Sequence, residues 1–316
     1  MKRILSLLAA AALLLSLAGC GAAPEPGADE KNDIPRIVAT VFPAYDFARV
    51  LAGGRCEVTL LVPPGAETHS FEPTPRDMAS IESCSLLVCN GGESEAWLDE
   101  LLEGSSGGFR LVRMLDCVEA LEEEHKDGMQ TVHGEEEEDG PEYDEHVWTS
   151  PVNAKKICLA ICAELCAIDP EGAEEYSSRC AAYCAELDEL DAAFRETVAA
   201  GRFKCLVFAD RFPVRYFVEE YGLDYYAAFP GCADDTEPSA RTVAFLIDRV
   251  RETGIGAVMY IEYSDERMAD VICEDTGCRK LLFHSCHTVS ADDLANGATY
   301  LSLMWANNDS LREALG

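Results

Sequence analysis

RIVATVFPAYDFARVLAG (36–53), followed by CEVTLLV (56–62), is the stretch from which the fold is read. Residues 36–42 are apolar and rich in β-branched side chains, which predicts a strand. PAYDFARVLAG spaces apolar residues at helical intervals. Pro43 stands near its start and Gly53 at its end, where those two residue types are favoured. CEVTLLV reads as a second strand, stopped by Pro63-Pro64-Gly65. A strand, a helix and another strand make a βαβ unit, whose crossover is long enough to join parallel neighbours.

The alternation continues outward from this unit. PRDMASIES (75–83) and ESEAWLDELLEG (93–104) read as helices, and SLLVCN (85–90) and FRLVRM (109–114) as strands. From Pro151 to about Ala200 the pattern is helical, broken once at Asp169-Pro170-Glu171-Gly172. Strands are then expected at 204–209, 223–229, 257–263 and 280–284. Helices are expected between them, and a last one from about Asp293 to the end. The fold class is therefore α/β: two lobes, each a mostly parallel sheet flanked by helices, joined by one long linker helix. The lobes are assigned to residues 35–168 and 201–316, and the linker to 169–200. Ligands of open α/β sheets bind beyond the carboxyl ends of strands. His69, Asp210, Glu262 and His284 all lie at or just after such ends.

The N-terminus precedes this body. Lys2 and Arg3 are followed by a mostly apolar run, Ile4 to Leu15, shorter than the roughly 18 residues that span a bilayer. A small-residue site, Leu17-Ala18-Gly19-Cys20, closes it, so residues 1–20 read as a signal peptide. That site resembles the bacterial lipobox, which implies lipidation at Cys20. Residues 21–34 have the polar, Pro/Gly-containing character of a flexible tether. The expected location is extracytoplasmic, anchored to the membrane by lipid.

The formal charge is −33, with 25 basic and 58 acidic residues. Losing Lys2 and Arg3 leaves 23 basic residues and a charge of −35. Such a chain repels nucleic acid and anionic headgroups and concentrates cations. Residues 122–145 alone hold twelve acidic residues and one lysine, and a mobile, solvated loop is expected there. The fifteen cysteines include Cys158, Cys162 and Cys166, and Cys180 and Cys184, each set along one helical stripe. Buried thiols and disulfides both remain open for them. The absence of a CxxC pair argues against a four-cysteine zinc site.

Six histidines fall at turn-like or post-strand positions: His69, His125, His133, His146, His284 and His287. Neutral imidazole is the commonest ligand for divalent transition metals, and loops on a rigid scaffold carry binding groups, so the pattern points to metal handling. His125 and His133, inside the acidic stretch, suit weak accessory capture.

GAETHSFEPTPRD (65–77), NGG (90–92), the acidic loop, DEHVWTSPVNA (144–154) and GATYLSLMWANNDSLREAL (297–315) together resemble the metal-binding subunits of zinc and manganese ABC importers. The resemblance covers nearly all of residues 35–316, in the family's order. It implies His69 and His146 as metal ligands. The family's third ligand position falls on Ala209, which cannot coordinate, with Asp210 beside it. The fourth falls on His284, with His287 close by; Asp210, Glu262 or His287 are the further candidates. Glu72 is a candidate partner for a ligand histidine. Three imidazoles favour zinc, whose Zn–N bonds are about 2.0–2.1 Å, over manganese, which prefers oxygen donors. The resemblance implies a monomeric receptor that delivers Zn2+ to an ABC permease and its ATPase and performs no catalysis. The other readings are a manganese or iron receptor of the same class, a zinc-buffering or adhesin-like surface lipoprotein, and a secreted zinc hydrolase. No HExxH motif supports the last.

Overall fold

β1 (Arg36–Ala39) buries Ile37, Val38 and Ala39, so it can only be an interior strand with both faces covered. The structure, a computed structural model, describes residues 34–66, 71–104, 108–130, 142–233 and 238–316. Cys20, His69 and His133, together with most of the tether, lie outside them.

β1 is flanked by β2 (Glu57–Leu60) and β3 (Leu86–Cys89), and β3 by β4 (Arg110–Arg113), all parallel, in the order β2-β1-β3-β4. A second parallel sheet has the order β6-β5-β7-β8. Its strands are β5 (Cys205–Phe212), β6 (Asp224–Pro230), β7 (Ala257–Tyr260) and β8 (Arg279–Leu282). The two sheets share one topology. In each, the strand order reverses beside the first strand, and a crevice opens there at the carboxyl ends.

Helices connect and cover the sheets: α1 (Phe42–Ala52), α2 (Pro75–Glu82), α3 (Ala96–Gly104), α4 (Pro151–Ile168) and α5 (Ala173–Ala200), then α6 (Arg215–Tyr221), α7 (Ala240–Thr253), α8 (Arg267–Thr276), α9 (Ala291–Ala295) and α10 (Tyr300–Leu315). Their ends follow sequence chemistry. Ser150 caps α4 by accepting from the Asn153 N–H, with Pro151 in the first turn. Thr74 and Asp77 form a capping box on α2. The long helix α5 has 28 residues, about 42 Å at 1.5 Å per residue, and lies between the sheets in chain order. Among the described residues, no helix is long and apolar enough to cross a membrane.

Two boundaries differ from expectation. Phe42 opens α1 instead of ending β1, because Pro43 favours the first helical turn. The single C-terminal helix expected from Asp293 is two helices. Gly297 adopts φ 86° and Thr299 starts a new capping box with Ser302, so the chain turns between α9 and α10.

Residues Pro35–Gly316 form one compact unit. The principal core joins side chains of both sheets, including Ile37, Leu86, Phe208 and Met259, to Trp148, Tyr176, Phe194 and Tyr300 from the helical layer and its approach. α10 crosses back to the first sheet's helices. The Tyr300 ring meets Phe47 edge-on at 4.9 Å, its N–H donates to buried Asp46, and its hydroxyl donates to the Trp148 carbonyl.

The acidic stretch departs from the expected free loop at both of its described ends. The Tyr216 hydroxyl, on α6, accepts from the Leu121 N–H and donates to the Asp144 carbonyl. The Cys232 N–H donates to Glu123, Lys126 pairs with Asp224, and the Gln130 N–H donates to the Ala228 carbonyl on the open edge of β6. Thus residues 121–130 and 142–145 line the second sheet. Apolar Leu121 and Met129 and the hydrogen bonds around them outweigh the charge there. Residues 131–141 lie outside the described set.

Candidate metal centre

The turn after β3, Asn90-Gly91-Gly92, receives the segment Asp144-Glu145-His146. Asn90 Nδ2 donates to the Glu145 carbonyl at 3.0 Å. Glu145 is buried and accepts from both the N–H and the hydroxyl of Ser94. A Cβ at Gly92 would stand 2.5 Å from Glu145 Oε1, and Gly92 has φ 96°, so glycine is required there twice over.

His146 is 1% exposed. Asp144 Oδ1 accepts from its backbone N–H at 2.8 Å and lies 3.2 Å from its Nδ1. This carboxylate contact holds the ring's orientation and places the Nδ1 proton, the arrangement found behind metal-binding histidines. Burial disfavours the imidazolium, but Asp144, with Glu145 and Glu123, outweighs it and raises the His146 pKa above its ordinary value. Asp144 is itself clamped from the second sheet. At Gly231 a Cβ would lie 3.2 Å from Asp144 Oδ2 and 2.9 Å from the Phe212 carbonyl, so only glycine fits this approach.

Across the crevice stands the loop after β8, Phe283-His284-Ser285-Cys286-His287. The Trp148 indole N–H donates to the Ser285 carbonyl at 2.8 Å and ties this loop to the first lobe. The His287 ring lies 5.2 Å from that of His146, nearly perpendicular to it, and 5.0 Å from Trp148. His284 is held differently. Its backbone N–H and C=O both bond the side chain of Asn307. Its Nδ1 accepts from the Cys286 N–H at 2.9 Å and lies 3.6 Å from Glu262 Oε1. A neutral imidazole that accepts at Nδ1 carries its proton on Nε2, which leaves no lone pair there for a metal. Cys286 holds φ 62°, an uncommon value for a side-chain-bearing residue, in making this bond. Glu262 accepts from the N–H and hydroxyl of Ser285.

The remaining expected residues are less central. Asp210 accepts from the Arg211 N–H and, at 3.4 Å, from the Ile261 N–H, bracing the register shift between Phe208 and Arg211. Burial raises its pKa. Ala209 packs in the smaller core of the second lobe with Val207 and Ala228. Glu72 is exposed. Gly65, which precedes the 67–70 stretch containing His69, donates its N–H to Thr288 Oγ1, the neighbour of His287.

A second donor set lies at the neck of the acidic loop. One ligand atom each from Glu123, His125 and Glu142 lie within 4.8 Å of one another. The neck is an antiparallel bridge between Glu122 and Tyr143, so these three residues face one another across it. Sequence reasoning reached His125 from the acidic setting but missed the two carboxylates, whose pairing depends on that bridge.

The family model described as "Zinc-uptake complex component A periplasmic" matches residues 37–314. The chain is 30% identical over 319 residues to the high-affinity zinc uptake system protein ZnuA of Bacillus subtilis (strain 168), covering 99% of this chain and 98% of that protein. It is 29% identical to the zinc-binding lipoprotein AdcA of Streptococcus pneumoniae (strain ATCC BAA-255 / R6), covering 99% of this chain but 61% of that longer protein. The Zn(II)-bound ZnuA-like domain of S. pneumoniae AdcA superposes with a TM-score of 0.74 at 26% identity, over 89% of this chain and 98% of that domain.

Proposed function

The chain belongs to the family of the periplasmic component A of zinc-uptake complexes, and on that premise we propose that it is an extracytoplasmic receptor that captures Zn2+ and hands it to an ABC permease driven by an ATPase. It acts as a monomer, binds and releases its cargo without catalysis, and is held to the membrane through lipid on Cys20. Manganese is the alternative cargo. Zinc is favoured because three of the assigned donors are imidazoles, which suit zinc better than manganese.

The observation that carries this reading is the approach of His287 to the carboxylate-supported His146 across the crevice. We assign His69, His146 and His287 as the imidazole donors. The resemblance places His284, ahead of His287, at the family's fourth ligand position. The hydrogen bond from the Cys286 N–H to His284 Nδ1 favours the reverse order, with His284 shaping the loop and Glu262 bracing it. Asp210 is assigned a bracing role in β5. His125, with Glu123 and Glu142, forms a weaker accessory site, to which His133 contributes.

Competition calorimetry with zinc tests the assignment. His146→Ala and His287→Ala are expected to weaken tight binding by at least about 1,000-fold, and His284→Ala by about 10–100-fold, the range for groups that support a ligand. A His287→Ala variant that binds zinc as tightly as the parent would return the ligand role to His284 and overturn this site.

A further inference from the structure

The fourteen cysteines among the described residues are all thiols. Cys162 meets Cys180 and Cys166 side chain to side chain between α4 and α5, and two further pairs make sulfur–sulfur contacts. Cys180 and Cys184, 3.9 Å apart, lie on successive turns of α5. Helical residues four apart keep their Cβ atoms about 5–6 Å apart, beyond the roughly 3.5–4.5 Å that a disulfide requires. The other pair spans a helix end and a turn, not successive turns of one helix. Cys273 lies in the last turn of α8, and Cys278 follows the left-handed Gly277 (φ 76°), immediately before β8. Their sulfurs stand 3.4 Å apart, and both residues are partly exposed. The Cys278 N–H donates to Thr276 Oγ1, and that hydroxyl donates to the Ile272 carbonyl, so the turn between the two sulfurs is already held in place.

We infer that Cys273 and Cys278 are a redox-modifiable dithiol, closed to an intrachain disulfide by a small disulfide oxidant such as oxidised glutathione. Burial, then the neighbouring Cys278, pushes the Cys273 thiol up; the exchange opens at the Cys278 sulfur. Its thiolate attacks the oxidant's S–S bond, forms a mixed disulfide and releases one small thiol. The Cys273 sulfur, losing its proton to solvent, then attacks the Cys278 sulfur and displaces the second small thiol. Two S–H groups are lost, one S–S bond forms, and the oxidant is reduced to two thiols. The product staples the end of α8 to the start of β8, the strand that runs directly into the His284–His287 loop. The pair does not depend on the zinc assignment.

The test uses the full mature chain, reduced first, then treated while folded with oxidised glutathione in the presence of a chelator. Intact mass is expected to fall by two hydrogens, peptide mapping to join Cys273 to Cys278, and the thermal midpoint to rise and then revert on reduction. Cys273→Ser and Cys278→Ser are each expected to lose the two-hydrogen change. A parent that keeps its full mass, a link between any other pair such as Cys162 and Cys180, or a Cys278→Ser variant that still loses two hydrogens would overturn the inference.

Discussion

Glu95 shows how one residue can carry the pH response of the site's scaffold. It is buried behind the Asn90-Gly91-Gly92 turn, and its Oε2 accepts from the Gly91 N–H at 2.7 Å. The buried Thr40 hydroxyl stands beside this carboxyl and is its side-chain hydrogen-bond partner. Burial raises its pKa to about 7 from 4.5, and the charge on Glu145 adds to the shift. A carboxyl whose pKa is raised on folding favours the folded state most below its unfolded value. Its contribution is lost as pH rises through the folded value. Between pH 4.5 and 7 this amounts to about 3 kcal/mol, at roughly 1.36 kcal/mol per unit. Glu95→Gln is neutral throughout, so its stability relative to the parent should improve from pH 5 to about pH 7 and level off above it. Denaturant midpoints at several pH values measure this difference, and a constant gap would show that Glu95 is ionised at every pH tested.

Among the elements, the neck of the acidic stretch changes most between sequence and structure. Twelve acidic residues in 122–145 read as one solvated loop, yet residues 121–130 and 142–145 dock along β6 and α6. Tyr216 is the joint, since its buried hydroxyl serves both sides of the neck. Tyr216→Phe leaves the Leu121 N–H and the Asp144 carbonyl without that partner. A loss of about 2–3 kcal/mol is expected, read as a lower urea midpoint with an unchanged slope. A change below about 0.5 kcal/mol, the range of an ordinary surface substitution, would mean that other contacts hold the neck.

At the scale of the whole molecule, the two sheets repeat one topology and share the principal core, each adding a smaller one of its own. The principal cluster runs through both, and α10 ties its far end to the first helix through Asp46 and Tyr300. Unfolding should therefore be a single transition, with calorimetric and van't Hoff enthalpies equal. Asp46→Ala removes an acceptor for the Tyr300 N–H and a partner for Arg49. It should lower stability by about 2–4 kcal/mol without splitting that transition. Two resolved transitions in the parent would show that the sheets unfold independently.

The residues alone made legible the eight strands, their alternation with helices and the long α5, because apolar periodicity, Pro and Gly act locally. They also marked DEHVW and the His284–His287 cluster as candidate donors. The hydrogen bond from the Cys286 N–H to His284 Nδ1, on which the proposed order of those two histidines rests, was not legible, since it depends on how the loop after β8 turns. Nor was the place of Ala209, set by the alternation of β5 that turns it into the second lobe's smaller core. The split between α9 and α10 falls at Asn296-Gly297, a turn signal set inside an otherwise helical pattern. Which face of the acidic stretch meets β6, and which carboxylates flank His125, depend on contacts about 100 residues apart in sequence, such as Cys232 with Glu123. Such pairings follow from how the chain closes on itself, and a local pattern carries no record of them.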